Sequence, residues 1–227
     1  MSLENLQLVV VSILPIIFAI TLHEAAHGYV AKLCGDRTAE MLGRVSLNPL
    51  RHIDPVGTIL VPIIGLIAGG FFFGWAKPVP VNYRALHHPR LDSVLVAIAG
   101  PATNVLLAVI SILLWRIIPF LPSAAQTWTS YMLAQSFKLN LILAVLNMLP
   151  VPPLDGGRVA VGLLPNPLSR QLAELEPIGI PLFIVVFFLV PMIGEAMHRN
   201  LDLFTPLIAQ PAEDLGDVLL SLLGPGE

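Results

Sequence analysis

Residues 6–33 read LQLVVVSILPIIFAITLHEAAHGYVAKL, and this stretch decides the fold. No charge interrupts Leu6 to Leu22. A helix needs about 20 apolar residues to cross the hydrocarbon core of a bilayer. The run reaches that length only if the helix continues through the HEAAH pentad toward Leu33, stopping near Gly35-Asp36. His23 and His27 are four apart and project from one helical face, a spacing that lets two imidazoles grip one metal ion. Glu24 lies beside them, placed to act as a base on a water activated by that metal. Two imidazoles and a carboxylate in apolar surroundings cost several kcal/mol unless something binds them, and ionisable residues inside membranes are functional by default. A plain pair of core histidines fits this context poorly.

Composition agrees with a membrane setting. Hydrophobic residues make up 56% of the 227 and charged residues 12%, against about 25% charged in an ordinary soluble domain. The net charge of -3, without a basic cluster, argues against a nucleic-acid partner. The single cysteine, Cys34, excludes an internal disulfide and a cysteine-based zinc site, and reads as a small apolar filler. The first apolar run has no basic flank and contains the pentad, so it is not expected to be a cleaved leader.

Charge-free runs place the other spans. Ser93–Trp115 qualifies cleanly, and Pro177–Gly194 tolerates Pro181 in its first turns. Pro119 and Pro122 break the stretch after Ile117, which predicts a loop over 118–131 and a helix from about Tyr131 to Met148. Pro55–Ala76 carries two prolines and five glycines and is a poor straight helix. It is either a kinked span or a segment that dips in and returns. The expected fold is an all-α, polytopic integral membrane bundle over 1–200. Its spans lie near 6–33, 92–117, 131–150 and 177–197, with a re-entrant or β-hairpin region near 53–82. Residues 201–227 form a tail, in which 212–223 reads as an amphipathic surface helix or a loose end.

A catalytic zinc needs a third protein ligand. His52, Asp54, His87, His88, Asp155 and Glu174 are candidates, most of them in polar connections where solvated loop residues are the simpler reading. Asp155 ends NMLPVPPLD, residues 147–155, where an apolar helix breaks into prolines before Gly156-Gly157. It is either a turn residue of Asp-Gly or a carboxylate at membrane depth. The prolines already break the helix without it.

With HEAAH at 23–27 and N-x-x-P-x-P-x-L-D-G at 147–156, the chain resembles the site-2 proteases, a family of intramembrane zinc metalloproteases. Supporting stretches are GRVSLNP at 43–49, GWAKPVP at 74–80 and Ala99-Gly100-Pro101 with Asn104, and they are similar to the compact branch without a PDZ domain. The resemblance implies one Zn²⁺ per chain held by His23, His27 and Asp155, with Glu24 as the base. It implies that Asn147 steadies the substrate carbonyl or its oxyanion, and that a membrane-dipping β-hairpin lies near Gly74–Asn82, where an edge strand would pair with an unwound substrate. The implied activity is hydrolysis of peptide bonds in or near transmembrane segments of membrane proteins. Asn104 reads as a helix-to-helix hydrogen bonder or a substrate contact. Trp75, next to Phe71, Phe72 and Phe73, reads as an interface residue or a substrate contact.

Topology follows from the shared metal. His23, His27 and Asp155 meet only if the first span and the helix ending near Met148 run the same way, which favours a Pro55–Ala76 segment that returns to its own side over one that crosses completely. Nine basic residues then share the metal side: Lys32, Arg37, Arg44, Arg51, Lys77, Arg84, Arg90, Arg158 and Arg170. The opposite side has Arg116, Lys138 and Arg199. The positive-inside rule makes the metal side cytoplasmic, in the cell membrane if the source is prokaryotic. The competing class is a membrane metal-binding or metal-transport protein. Glu24 discriminates, since hydrolysis needs it and a structural or transport site does not.

Overall fold

The computed structural model describes residues 3–60, 63 and 76–224. Helix α1 is Leu3–Leu33, with Pro15 inside it. It ends where the sequence predicts: the Asp36 N–H donates to the Ala31 carbonyl, and Gly35 takes a φ of +108° that a side chain would strain. A short turn, α2 (Thr38–Met41), follows. Helix α3 is Pro89–Trp115, opened by Pro89 and by Asp92, whose Oδ2 accepts the His88 N–H at 2.7 Å. Helix α4 is Ser123–Asn147, α5 is Asp155–Leu163 and α6 is Asn166–Ala173. Helix α7 is Glu176–Ala196, with a π-helical stretch at Val185–Leu189, and α8 is Gln210–Leu223.

Among the described residues, three helices are long and apolar enough to cross a membrane: Val10–Leu33, Pro89–Trp115 and Glu176–Ala196. Helix α4 is as long as these but more polar, carrying Gln126, Gln135, Ser136, Lys138, Asn140 and Asn147. It also starts at Ser123 rather than near Tyr131, so the expected loop over 118–131 shrinks to a few residues around Pro119 and Pro122. Residues 123–130 hold no proline or glycine to stop a helix.

Helix α3 sits at the centre, against α1, α4, α5 and α8. The contacts are made of small and polar groups: Ala19, Ala97, Ala108 and Ala144 are buried, as are Asn104, Ser111 and Asn140. Large apolar side chains such as Ile13, Phe18, Leu95 and Leu106 face outward. That distribution suits a bundle in lipid, where small residues let backbones approach and lipid solvates the bulky ones. The 212–223 stretch is helical, and helix α8 packs Ala212 and Gly216 on its inner face against Phe137, Leu141 and Ala108.

The expected β-hairpin is not present among the described residues. Residues 76–82 form neither helix nor strand, and 61, 62 and 64–75, with Trp75, lie outside the described residues. Pro78 and Pro80 have no N–H, and the N–H groups of Lys77 and Val79 bond elsewhere, which leaves little for a ladder. The Lys77 N–H donates to the His52 carbonyl at 2.9 Å. Arg44 also holds this segment, its Nη2 donating to the carbonyls of Lys77 (2.6 Å) and Pro78 (3.3 Å).

Candidate metal centre

Three ligand-type atoms converge under the 76–82 segment. His23 Nε2 and His27 Nε2 are 3.0 Å apart, and Asp155 Oδ2 lies 3.2 Å from the first and 3.4 Å from the second. All three residues are buried, with 8–9% of their surface exposed. The two histidines come from successive turns of α1. Asp155 is the first residue of α5, delivered by the proline-rich turn after α4. Gly156 follows it because a Cβ there would lie 2.2 Å from the Met148 carbonyl oxygen.

The donor set fits a zinc ion. His23 Nδ1 faces the Asn104 side-chain oxygen at 2.6 Å, and His27 Nδ1 faces the Val96 carbonyl at 2.7 Å. An imidazole whose Nδ1 donates carries its free lone pair on Nε2. Both Nε2 lone pairs therefore point at each other and at Asp155 Oδ2, a buried oxygen without a hydrogen-bond partner. Such a cluster is unfavourable without a cation among them. The separations of 3.0–3.4 Å are close to the edge of a tetrahedron with bonds of about 2.0 Å, roughly 3.3 Å. Space is kept open by Gly100 of α3, where a Cβ would lie 2.5 Å from both Nε2 atoms. Among the described residues, His23, His27 and Asp155 are the one such group within metal-ligating reach. His52, Asp54, His87, His88 and Glu174 do not join it.

Glu24 and Asn147 line the same cavity of about 130 Å³, together with Pro78, Val79, Tyr83 and Arg158. Glu24 Oε2 accepts the Val79 N–H at 2.8 Å, which turns the carboxylate toward the opening. Asn147 Nδ2 donates to the Leu143 carbonyl at 2.9 Å, using one of its two N–H groups. Tyr83 and Arg158 are additions that no spacing in the sequence signals. Arg158 Nη1 donates to the Tyr83 oxygen at 2.9 Å, and Nη2 lies 3.4 Å from Glu176. Burial pushes the Tyr83 phenol above its ordinary value despite the opposing Arg158, so it is neutral at physiological pH. Asn104 stands behind His23 with 0% of its surface exposed and is not among the residues lining the cavity.

Comparison with known proteins agrees with this chemistry. A family model described as Peptidase family M50 matches residues 11–122 and 117–192. The chain is 39% identical over 206 residues to a Bacillus subtilis protein named putative zinc metalloprotease YwhC, covering 86% of this chain and 91% of that one. It is 31% identical over 181 residues to the Mycolicibacterium smegmatis protein named putative zinc metalloprotease Rip2, covering 79% of this chain and 66% of that one. No solved structure matches.

Proposed function

The chain belongs to peptidase family M50, the site-2 protease family of zinc metalloproteases, and from that premise we propose that it is an intramembrane zinc endopeptidase. Its substrates in this reading are membrane proteins, cut within or near their transmembrane segments. The observation that carries it is the meeting of two imidazoles and an orphaned carboxylate oxygen in one buried cavity, with Glu24 beside them.

Zinc, when bound by His23, His27 and Asp155, supplies Lewis acidity to a water and to the scissile carbonyl. Glu24 takes a proton from the attacking water and passes it to the leaving amine. Asn147 offers its second N–H to the developing oxyanion. Tyr83, held by Arg158, adds a neutral hydroxyl to the same wall. A transmembrane substrate must first unwind, because helical carbonyls are tied up in internal hydrogen bonds.

Three features support a multi-pass protein whose site opens toward the cytoplasm. The basic residues cluster on the metal side, α1 and α4 both end at the site, and the hydrogen bond from Lys77 to His52 favours a 53–76 segment that returns to its own side. Cysteines placed singly at Arg44, Arg84 and Ser123 in a Cys34→Ser background test this. Only the Ser123 position should react with a membrane-impermeant reagent applied to intact cells.

The activity test separates base from ligand. Protein purified in detergent should carry about one zinc per chain. His23→Ala, His27→Ala and Asp155→Ala should each lose metal and activity, while Glu24→Gln should keep metal and lose cleavage of single-span substrates. Full turnover by Glu24→Gln would overturn the protease reading and favour a metal-binding or transport protein.

A further inference from the structure

We propose that Asn140 on α4, 36 residues along the chain from Asn104, is a positioning residue for the metal centre, acting through Asn104 to set which nitrogen of His23 is free. The inference rests on the zinc site proposed above and concerns how this chain holds its first ligand ready.

A side-chain amide can turn over, presenting oxygen or nitrogen to His23 Nδ1. The two choices have opposite consequences. If oxygen faces the ring, Nδ1 carries the proton and Nε2 is free for metal. If nitrogen faces it, Nδ1 must accept, the proton moves to Nε2, and the ligand atom is blocked. The contacts behind Asn104 decide between them. Asn140 Nδ2 lies 2.8 Å from the Ser136 backbone carbonyl, which can only accept, so the Asn140 oxygen must face the other way. That oxygen lies 2.8 Å from Asn104 and can only accept, so Asn104 presents its nitrogen there. The Ala19 carbonyl of α1, 3.5 Å from the same nitrogen, asks for the same orientation. The Asn104 oxygen is thereby left for His23, at 2.6 Å.

A carbonyl fixed by the α4 backbone thus dictates the histidine tautomer two side chains away, across three helices. Burial makes the order strict. Asn104 and Asn140 are 0% and 1% exposed, so no water relieves a wrong flip, and an unmatched pair in such a place is costly. His27 has no such chain, because its Nδ1 donates directly to the Val96 backbone carbonyl. It is a built-in reference.

The test uses the full-length chain in detergent, with the histidine rings labelled with ¹⁵N. Ring-nitrogen shifts are read on zinc-stripped protein, and zinc affinity is measured by competition with a chelator. Wild type should show the Nδ1–H form at both His23 and His27. Asn140→Leu should mix the two forms at His23, leave His27 unchanged and weaken zinc about 10-fold. Asn104→Leu should mix the two forms at His23 and weaken zinc about 10- to 100-fold, whereas Asn104→Asp, which still accepts from His23 although its second oxygen faces that of Asn140, should keep the Nδ1–H form there. The proposal is overturned if Asn140→Leu leaves the His23 form and zinc affinity intact, or if His23 and His27 shift together. It is equally overturned if Asn104→Asp mixes the two His23 forms as Asn104→Leu does, the result expected of mere packing. The Asn104 pair decides the matter if Asn140→Leu does not accumulate. None of these readouts needs turnover, so failure here is distinct from failure of the protease reading.

Discussion

Helices α3 and α7 are alike in sequence character and unlike in what they do. Their most apolar windows have mean hydropathies of 2.1 and 2.4, and both are long enough to span. Yet 44% of the α3 window is buried within the protein and 11% of the α7 window. Helix α3 contributes Gly100, Asn104 and Ser111 to the interior, whereas α7 buries only Gly179 and Gly194. Gly179 touches the turn before Asp155, where a Cβ would lie 1.8 Å from the Pro152 oxygen, and an apolar groove of about 390 Å³ separates much of α7 from α4. Hydropathy says that a helix lies in the membrane. The small and polar residues that interrupt it say whether it lies at the centre.

The sharpest way to break that contrast is Gly100→Ala. The added methyl occupies the space between the two imidazoles, so zinc should fall below detection in metal analysis of purified protein. Leu182→Ala and Ile184→Ala on the exposed side of α7 should leave zinc content unchanged. Equal losses in both helices would mean that burial is no guide to function here. Next in size is Asn147→Ala, which should keep zinc and lower turnover about 10²- to 10³-fold. Melting and turnover measured on one preparation separate this from a packing defect, in which activity per folded molecule would be unchanged.

The contrast extends to the polar anchors outside the spans. Burial pushes the Asp36 carboxyl up, but donation from the Thr38 hydroxyl and N–H and from the Asn82 N–H outweighs it, and the pKa sits below the ordinary value. A depressed carboxyl stabilises above its unfolded value of about 3.9 and loses that contribution as pH falls through the lower folded value. Asp36→Asn should therefore cost about 1.5–3 kcal/mol near pH 7, with the gap to wild type narrowing below about pH 4 in thermal melts. The smallest effect should come from Ser111→Ala on α3. Its hydroxyl lies 2.9 Å from that of Ser136, and interhelical bonds of this kind are worth about 0.6 kcal/mol in a bilayer.

The residues legible in the sequence are those whose chemistry is out of place where they stand. HEAAH inside an apolar helix and Asp155 after three prolines are local oddities, and the structure brings His23, His27 and Asp155 together as a group that could hold a metal ion. Asn140 gives no such signal, because it sits in a helix with other polar residues and its meaning lies in a partner 36 positions away. Tyr83 and Arg158 meet the cavity only through tertiary contact. Gly100 belongs to a quoted motif, but its purpose, a space, appears only once α1 and α3 are packed. Among the described residues, 76–82 form no strand, in keeping with the alternation of prolines at 78 and 80 that the sequence already shows.

That alternation has a consequence for life in a crowded membrane. A proline has no backbone N–H to offer a neighbouring strand. Lys77 and Val79 spend their N–H groups on His52 and Glu24, and Pro78 and Pro80 have none to give. A segment outside helix and strand beside an opening would otherwise offer those groups to any passing strand. With each of them used or missing, residues 77–80 lie beside the candidate site without becoming a seed for aggregation.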